Sequence, residues 1–223
     1  MYQNPYARLK PKIKRPYTDI FLVRHCHPDY SMEKKIGDHN MPLSQIGLEQ
    51  RKHLTRQLLT MKIDRIYASS LVRAQETAFE FAGKAQKEII LDKRLDEIDW
   101  TDWRRTKYFH MSEKTREKKL VGHSRLDHQL NKMQTSARRA LADIFKHGRG
   151  KRIAIFSHGN FIKASLTGIL NADIIGFLSL EIFQSSISRI IIDRDGYVKI
   201  SYINDVRHLP SPPDEDLFIT LVD

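Results

Sequence analysis

The chain has one cysteine, Cys26, in 223 residues. A single thiol excludes an intramolecular disulfide and any thiolate-rich zinc cluster. Long apolar runs are missing as well. Nothing approaches the roughly 20 residues of a membrane span, and residues 1–15 are polar and basic, so the expectation is a cytoplasmic chain with no membrane partner. No glycine-rich phosphate-cradling loop of the P-loop or dinucleotide type is present, which leaves nucleotide-driven transfer without its usual signature.

Positive charge is abundant: 38 Lys+Arg against 27 Asp+Glu give a net charge of +11. The basic residues concentrate in Arg8, Lys10, Lys12, Lys14 and Arg15 and again between Arg104 and Arg152, whereas Asp214, Glu215 and Asp216 are acidic. Such a surface suits phosphorylated, nucleic-acid or anionic-lipid partners, and scattered Lys and Arg on solvated helix faces is the commoner situation. The basic stretches interleave no aromatics in an RNA-binding pattern, so nucleic acid is not the expected partner. Hydrophobic residues make up 40% and charged residues 29%, enough to fill one core and to exclude global disorder. The expected organisation is a single domain over 1–223, with a basic extension over about 1–17, an excursion over about 96–130 and an acidic, proline-containing tail over about 209–223.

Asp19-Ile-Phe-Leu-Val-Arg24 is a short apolar run that stops at charged residues, the pattern of a buried strand. Ser44 offers an N-cap to a helix reaching Met61, Ile63–Ala68 reads as a second strand, and a helix from Ser70 through Phe81 has Gly83 as its expected C-cap. Ile89–Leu91 is a third strand. Asn131–His147 carries a core-facing stripe of Met133, Ala137, Ala140, Leu141 and Ile144. Ile153–Phe156 is another buried strand, followed by a helix over about Asn160–Leu170. Asp195-Gly196, between two apolar runs, predicts a hairpin. Strands separated by helices imply right-handed crossovers and a three-layer α/β/α fold with a mainly parallel sheet. Ligands of such sheets bind beyond the carboxyl ends of the strands, where Arg24 and His25 meet Ser157 and His158.

Imidazoles beside guanidinium groups repel a metal cation and attract an anion, and phosphate is the natural candidate. Arginine contacts phosphoryl oxygens bidentately, and a neutral histidine attacks phosphorus in line. A carboxylic acid must then protonate the leaving oxygen and afterwards activate water. No metal and no other cofactor is required.

Five ordered segments between about residues 20 and 160 carry a family resemblance. They are Phe21-Leu-Val-Arg-His-Cys26, Pro42-Leu-Ser-Gln-Ile-Gly47 with Gln50, Tyr67-Ala-Ser-Ser-Leu-Val-Arg-Ala-Gln-Glu-Thr-Ala78, Leu95-Asp-Glu97 and Phe156-Ser-His-Gly-Asn160. Together they resemble the histidine phosphatase superfamily, the phosphoglycerate-mutase-like group. That resemblance implies an α/β sheet with helices on both sides and a variable insertion after the third strand. It further implies that His25 is the phosphorylated nucleophile, that Arg24 and Arg73 bind the phosphoryl group, and that His158 completes the pocket. Glu97 matches the acid that protonates the leaving group, with Asp96 and Asp99 as neighbouring alternatives. The expected reaction is metal-independent hydrolysis of a small phosphomonoester, as in a histidine acid-type phosphatase. A phosphoglycerate-type mutase and a weakened phosphate-binding scaffold are the alternatives, and a homodimer is only the base-rate expectation.

The sequence also departs from the family pattern. Cys26 replaces the glycine that usually follows the nucleophile, and a positive φ there would store about 1–2 kcal/mol. Pro28 and Ser31 stand where relatives often carry Thr or Ser and Asn, and Thr101 and Arg105 replace glycines. A cysteine-phosphatase reading fails because Met32, not arginine, lies six residues after Cys26. A metal reading of His25, Cys26 and His27 fails because adjacent strand residues point to opposite faces. Trp100, Trp103, Tyr108 and Phe109 are expected to wall the substrate pocket, His123 and His128 to face solvent, and Asn160 to cap the following helix.

Overall fold

The apolar run predicted to open the fold is strand β1, Thr18–Arg24, and it lies inside the sheet. The computed structural model describes residues 14–98, 112–114 and 124–211. The remaining elements are a short helix α1 (Glu33–Ile36), α2 (Gln45–Thr60), β2 (Arg65–Ala68), α3 (Val72–Ala85), β3 (Ile89–Leu91), α4 (Ser124–His147), β4 (Arg152–Ser157), α5 (Gly159–Leu170), α6 (Ile174–Ser179), β5 (Ile187–Ile192) and β6 (Val198–Asp205). The six strands form one sheet in the order β3-β2-β4-β1-β5-β6. The first four are mutually parallel, and the β5–β6 hairpin adds two antiparallel strands beside β1. The sheet is therefore mixed, with its parallel half next to the predicted site.

Strand alternation splits the core into two layers. Ile20, Leu22, Ile153 and Ile155 face one side, against the α4 stripe of Leu130, Met133, Ala137, Ala140, Leu141 and Ile144 and against Phe161 and Ile162 of α5. Phe21, Val23, Ala154 and Phe156 face the other, against Leu54 and Leu58 of α2 and Ala78, Phe81 and Ala82 of α3. Helices on both faces make the three-layer α/β/α architecture. Among the described residues no helix is long and apolar enough to cross a membrane.

Local expectations fail where a distant partner outweighs propensity. Gly83 lies within α3, and the left-handed capping position is Gln86, with φ 52° and its N–H bonded to the carbonyls of Ala82 and Gly83. Ser70 does not start α3 because Ser69 and Ser70 are held in the preceding turn by Asp96. The long helix begins at Ser124 rather than Asn131, since Leu126 and Leu130 join the same buried stripe. The excursion expected over 96–130 thus overlaps α4. Its residues 99–111 and 115–123, including Asp99, the Trp100–Phe109 aromatics and His123, lie outside the described residues, as do 1–13 and 212–223. His128 is exposed on α4, as expected.

Candidate active site

Strand register builds the site. β1 and β4 pair so that Arg24 lies opposite Ser157, and the His25 N–H continues the ladder to the Ser157 carbonyl at 2.9 Å. His25 and His158 therefore leave neighbouring strands at the same level. On the other side of β4, the Ser69 N–H reaches the Phe156 carbonyl at 2.9 Å, so the end of β2 arrives at that level too.

The His25 and His158 rings stand 5.0 Å apart between centroids, both buried. His25 Nδ1 lies 2.7 Å from the Cys26 carbonyl oxygen, which can only accept, so the proton sits on Nδ1 and the Nε2 lone pair is left for a ligand. Burial, reinforced by Arg24 and Arg73, holds the His25 pKa well below the usual histidine range and keeps the ring neutral. His158 is held down likewise, by burial and then by His25, Arg73 and Arg24.

Arg24 donates to the Ile182 carbonyl through Nη1, and its Nε is buried with no hydrogen-bond partner among the described residues. Gly159 gives this guanidinium room: a Cβ there would stand 3.5 Å from Cζ. Arg73, on the first turn of α3, is 4% exposed and grips Asp38, donating to its carbonyl at 2.7 Å and pairing with its carboxylate at 3.1 Å. Thr77 ties these parts together, donating to the Arg73 carbonyl at 2.7 Å and accepting the Cys26 N–H at 3.0 Å.

Glu97 is half-buried, and its Oε1 accepts the backbone N–H groups of Ile98 at 3.0 Å and Asn160 at 3.1 Å. Burial raises its pKa, against the opposing pull of Arg24, those N–H groups and Arg73. Asp96, its neighbour, is fully committed elsewhere: it accepts from both serine hydroxyls and the Ser70 N–H, each at 2.7 Å. Of the two described acids, Glu97 is the one within the field of the arginines. Asn160 does not cap α5, whose N-cap is His158; its side chain instead donates to the Ile98 carbonyl at 3.0 Å, fixing the Glu97 segment.

Cys26 departs from the expectation of strain. It is absent from the residues with positive φ, which apart from glycine are Lys62, Gln86, Asn171, Ser185 and Asn204. Its thiol is buried and pushed up to about 12 by burial, so it is a packed apolar group. His27 explains the Pro42–Gln50 motif. Its N–H donates to Gln50 at 2.8 Å, its Nδ1 pairs with Ser44 Oγ at 2.8 Å, and Gly47 sits so close that a Cβ would lie 2.1 Å from the His27 carbonyl oxygen.

Two neighbours of the site escaped sequence reasoning. Asp38 lies in a 3₁₀ turn with no motif of its own. Lys163 of α5 is buried beside the Phe177 ring, within the field of Arg24, Glu97 and Glu181; its position five residues beyond His158 was the available signal. Ser69 and Asp96 were both visible, inside the Arg73 motif and beside Glu97, but their pairing across 27 residues was not. Among the described residues no cluster of three His, Cys, Asp or Glu side chains is arranged to hold a metal ion.

A family model described as histidine phosphatase superfamily (branch 1) matches residues 20–205. Among similar curated proteins, probable phosphoglycerate mutase GpmB of Enterobacter sp. (strain 638) is 28% identical, covering 89% of this chain and 98% of its own. Phosphoglycerate mutase-like protein 4 of Arabidopsis thaliana is 30% identical over 66% of this chain and 69% of its own. A mutant phosphoserine phosphatase from Entamoeba histolytica, solved with phosphoserine, superposes with a TM-score of 0.68 at 25% identity, covering 86% of this chain and 99% of its own. The fold, the ordered segments and the match over residues 20–205 together make this chain a member of the histidine phosphatase superfamily, with a phosphoglycerate-mutase-like fold.

Proposed function

We propose that this protein is a metal-independent phosphatase that hydrolyses a small phosphomonoester through a phosphohistidine on His25. The observation that carries the reading is the 2.7 Å bond from His25 Nδ1 to the Cys26 carbonyl, which leaves Nε2 unprotonated on a neutral buried ring. In the first step Nε2 attacks phosphorus, the N–P bond forms and the ester P–O bond breaks, while Glu97 gives its proton to the leaving oxygen. Water then attacks the phosphohistidine, loses its proton to Glu97 and releases phosphate. Arg24, Arg73 and His158 hold the equatorial oxygens, where charge collects in the transition state. The raised pKa of Glu97 suits a group that must first act as an acid.

The phosphoserine held by the Entamoeba relative supports a small anionic substrate. A mutase is the second reading, favoured by the relatives named phosphoglycerate mutase. It requires the phosphohistidine to outlive substrate exchange. Hydrolysis of p-nitrophenyl phosphate in EDTA, with His25→Ala alongside and acid-labile phosphate followed on the chain, tests the proposal. Turnover that survives chelation and is lost with His25 is expected. Turnover retained by His25→Ala, or abolished by EDTA, would refute it. Interconversion of phosphoglycerates by the phosphorylated enzyme, faster than its hydrolysis, would move the assignment to the mutase.

A further inference from the structure

Behind His158 lies a hydrogen-bond chain whose direction is fixed. The Ser69 hydroxyl has one proton and donates it to the Asp96 carboxylate at 2.7 Å, because that oxygen can only accept. Ser69 Oγ is left with two lone pairs. One accepts the Leu71 N–H at 3.1 Å, and the other faces His158 Nε2 at 2.7 Å, so Nε2 must be the donor. The neutral His158 ring then has a bare lone pair on Nδ1, and Nδ1 is buried with no hydrogen-bond partner among the described residues. Since Ser69 occupies the Nε2 edge, Nδ1 is the edge left to a ligand.

We propose that Asp96 is a positioning residue which, through Ser69, locks His158 with its proton on Nε2, so that the site binds a phosphoryl group together with one extra proton shared between Nδ1 and a phosphoryl oxygen. This rests on the phosphoryl-binding role given to His158 above. A bare nitrogen facing a phosphoryl oxygen that carries no proton is a contact between two acceptors. One proton, taken from solvent or carried in by the phosphate monoanion, turns it into a hydrogen bond. The charged and titratable groups that face His158 are His25, Arg73 and Arg24, with Asp96 beyond Ser69. The guanidinium groups disfavour a charged His158 in the free site and attract the phosphate that makes protonation favourable. Affinity for inorganic phosphate therefore declines as pH rises above about 6–7, where the monoanion gives way to the dianion.

The test uses the full chain labelled with ¹⁵N-histidine, with His158 assigned from His158→Gln, and reads the tautomer from two-bond ¹H–¹⁵N correlations. Free enzyme is expected to show Nε2–H, and inorganic phosphate is expected to bring a proton to Nδ1. Calorimetry of phosphate binding in buffers of different ionisation enthalpy, at about pH 8 and on a His25→Ala/Glu97→Gln background that removes the other two proton acceptors of the site, is expected to count about one proton taken up. Asp96→Asn keeps an oxygen that accepts from Ser69 and preserves both results. Asp96→Ala frees the Ser69 hydroxyl to donate to Nε2, shifts His158 toward Nδ1–H and brings the uptake close to zero. An Nδ1–H tautomer in the free wild type overturns the proposal, even if Asp96→Ala fails to fold. So does undiminished proton uptake in a folded Asp96→Ala. The free-enzyme tautomer is readable without turnover, so a failure of the phosphatase reading is distinguishable from a failure of this one.

Discussion

His25 and His158 face each other across the carboxyl edge of the sheet with ring centroids 5.0 Å apart and planes inclined by 57°. The approach follows from a single backbone pairing, Arg24 opposite Ser157, which brings two neighbouring parallel strands to an end at the same height. With Arg24 and Arg73 also nearby, two imidazolium ions there would face strong mutual repulsion, and burial removes the solvent that would screen it. Both rings are neutral in the free enzyme. The positive charge of the site comes from the arginines.

Glu97 links activity to pH. Its folded pKa lies above the ordinary glutamate value, chiefly through burial, so its acid form persists to higher pH. The leaving-group protonation proposed for Glu97 needs that form, and kcat/KM is then expected to fall as pH rises through the raised pKa. Glu97→Gln removes this limb and lowers kcat/KM by about 10²–10⁴-fold with a poor leaving group. A group whose folded pKa is raised gives its full stabilisation below the unfolded pKa and loses it as pH rises through the folded value. Glu97→Gln therefore melts above wild type at about pH 8, with the gap closing toward about pH 4. A variant with lower activity and a lower melting temperature at the higher pH would contradict this assignment.

Asp38 is expected to compete with phosphate for Arg73. Its carboxylate, 57% exposed, occupies the buried Arg73 guanidinium that would otherwise meet a phosphoryl oxygen. The pair is open to solvent on its Asp38 side, and a solvent-screened pair is worth about 0.2–1 kcal/mol, so Asp38→Asn is expected to tighten inorganic phosphate binding by up to about fivefold. Competitive inhibition by phosphate measures it; unchanged or weaker binding would show that Asp38 positions Arg73 instead.

Two glycines should respond oppositely to alanine. At Gly47 the added Cβ would lie 2.1 Å from a backbone oxygen of His27, which cannot swing away, so Gly47→Ala is expected to cost about 1–3 kcal/mol. At Gly159 it would meet Arg24 at an ordinary 3.5 Å contact, and the midpoint of urea unfolding should move little. Similar midpoints for the two variants would mean that α2 shifts freely against His27.

Cys26 is expected to be chemically silent. Its buried thiol, pushed up to about 12, should resist iodoacetamide in the native chain. Cys26→Ala should retain turnover while losing on the order of 1 kcal/mol of stability. Loss of turnover in a folded Cys26→Ala would give the thiol a part in the chemistry.

Sequence by itself determined the elements and the chemical vocabulary. The abrupt end of Ile20–Val23 at Arg24, the apolar stripe of α4, the Asp195-Gly196 turn and the ordered segments around His25, Arg73, Glu97 and His158 are all local, and the fold respected them. Short-range pattern suffices there because burial on one face of a helix or strand is written in consecutive residues. Tertiary structure decided protonation, commitment and strain. Ser69 meets Asp96 across 27 residues and His158 across 89, and only those two bonds together say which His158 nitrogen carries the proton. The same pairing separates Asp96, consumed by the serine turn, from Glu97, and it moves the start of α3 beyond Ser70. Cys26 avoids a positive φ, and its backbone N–H is held by Thr77, 51 residues away. Hydrogen-bond direction depends on what each partner has left to give after its other contacts are made, and those contacts join segments that chain order keeps apart.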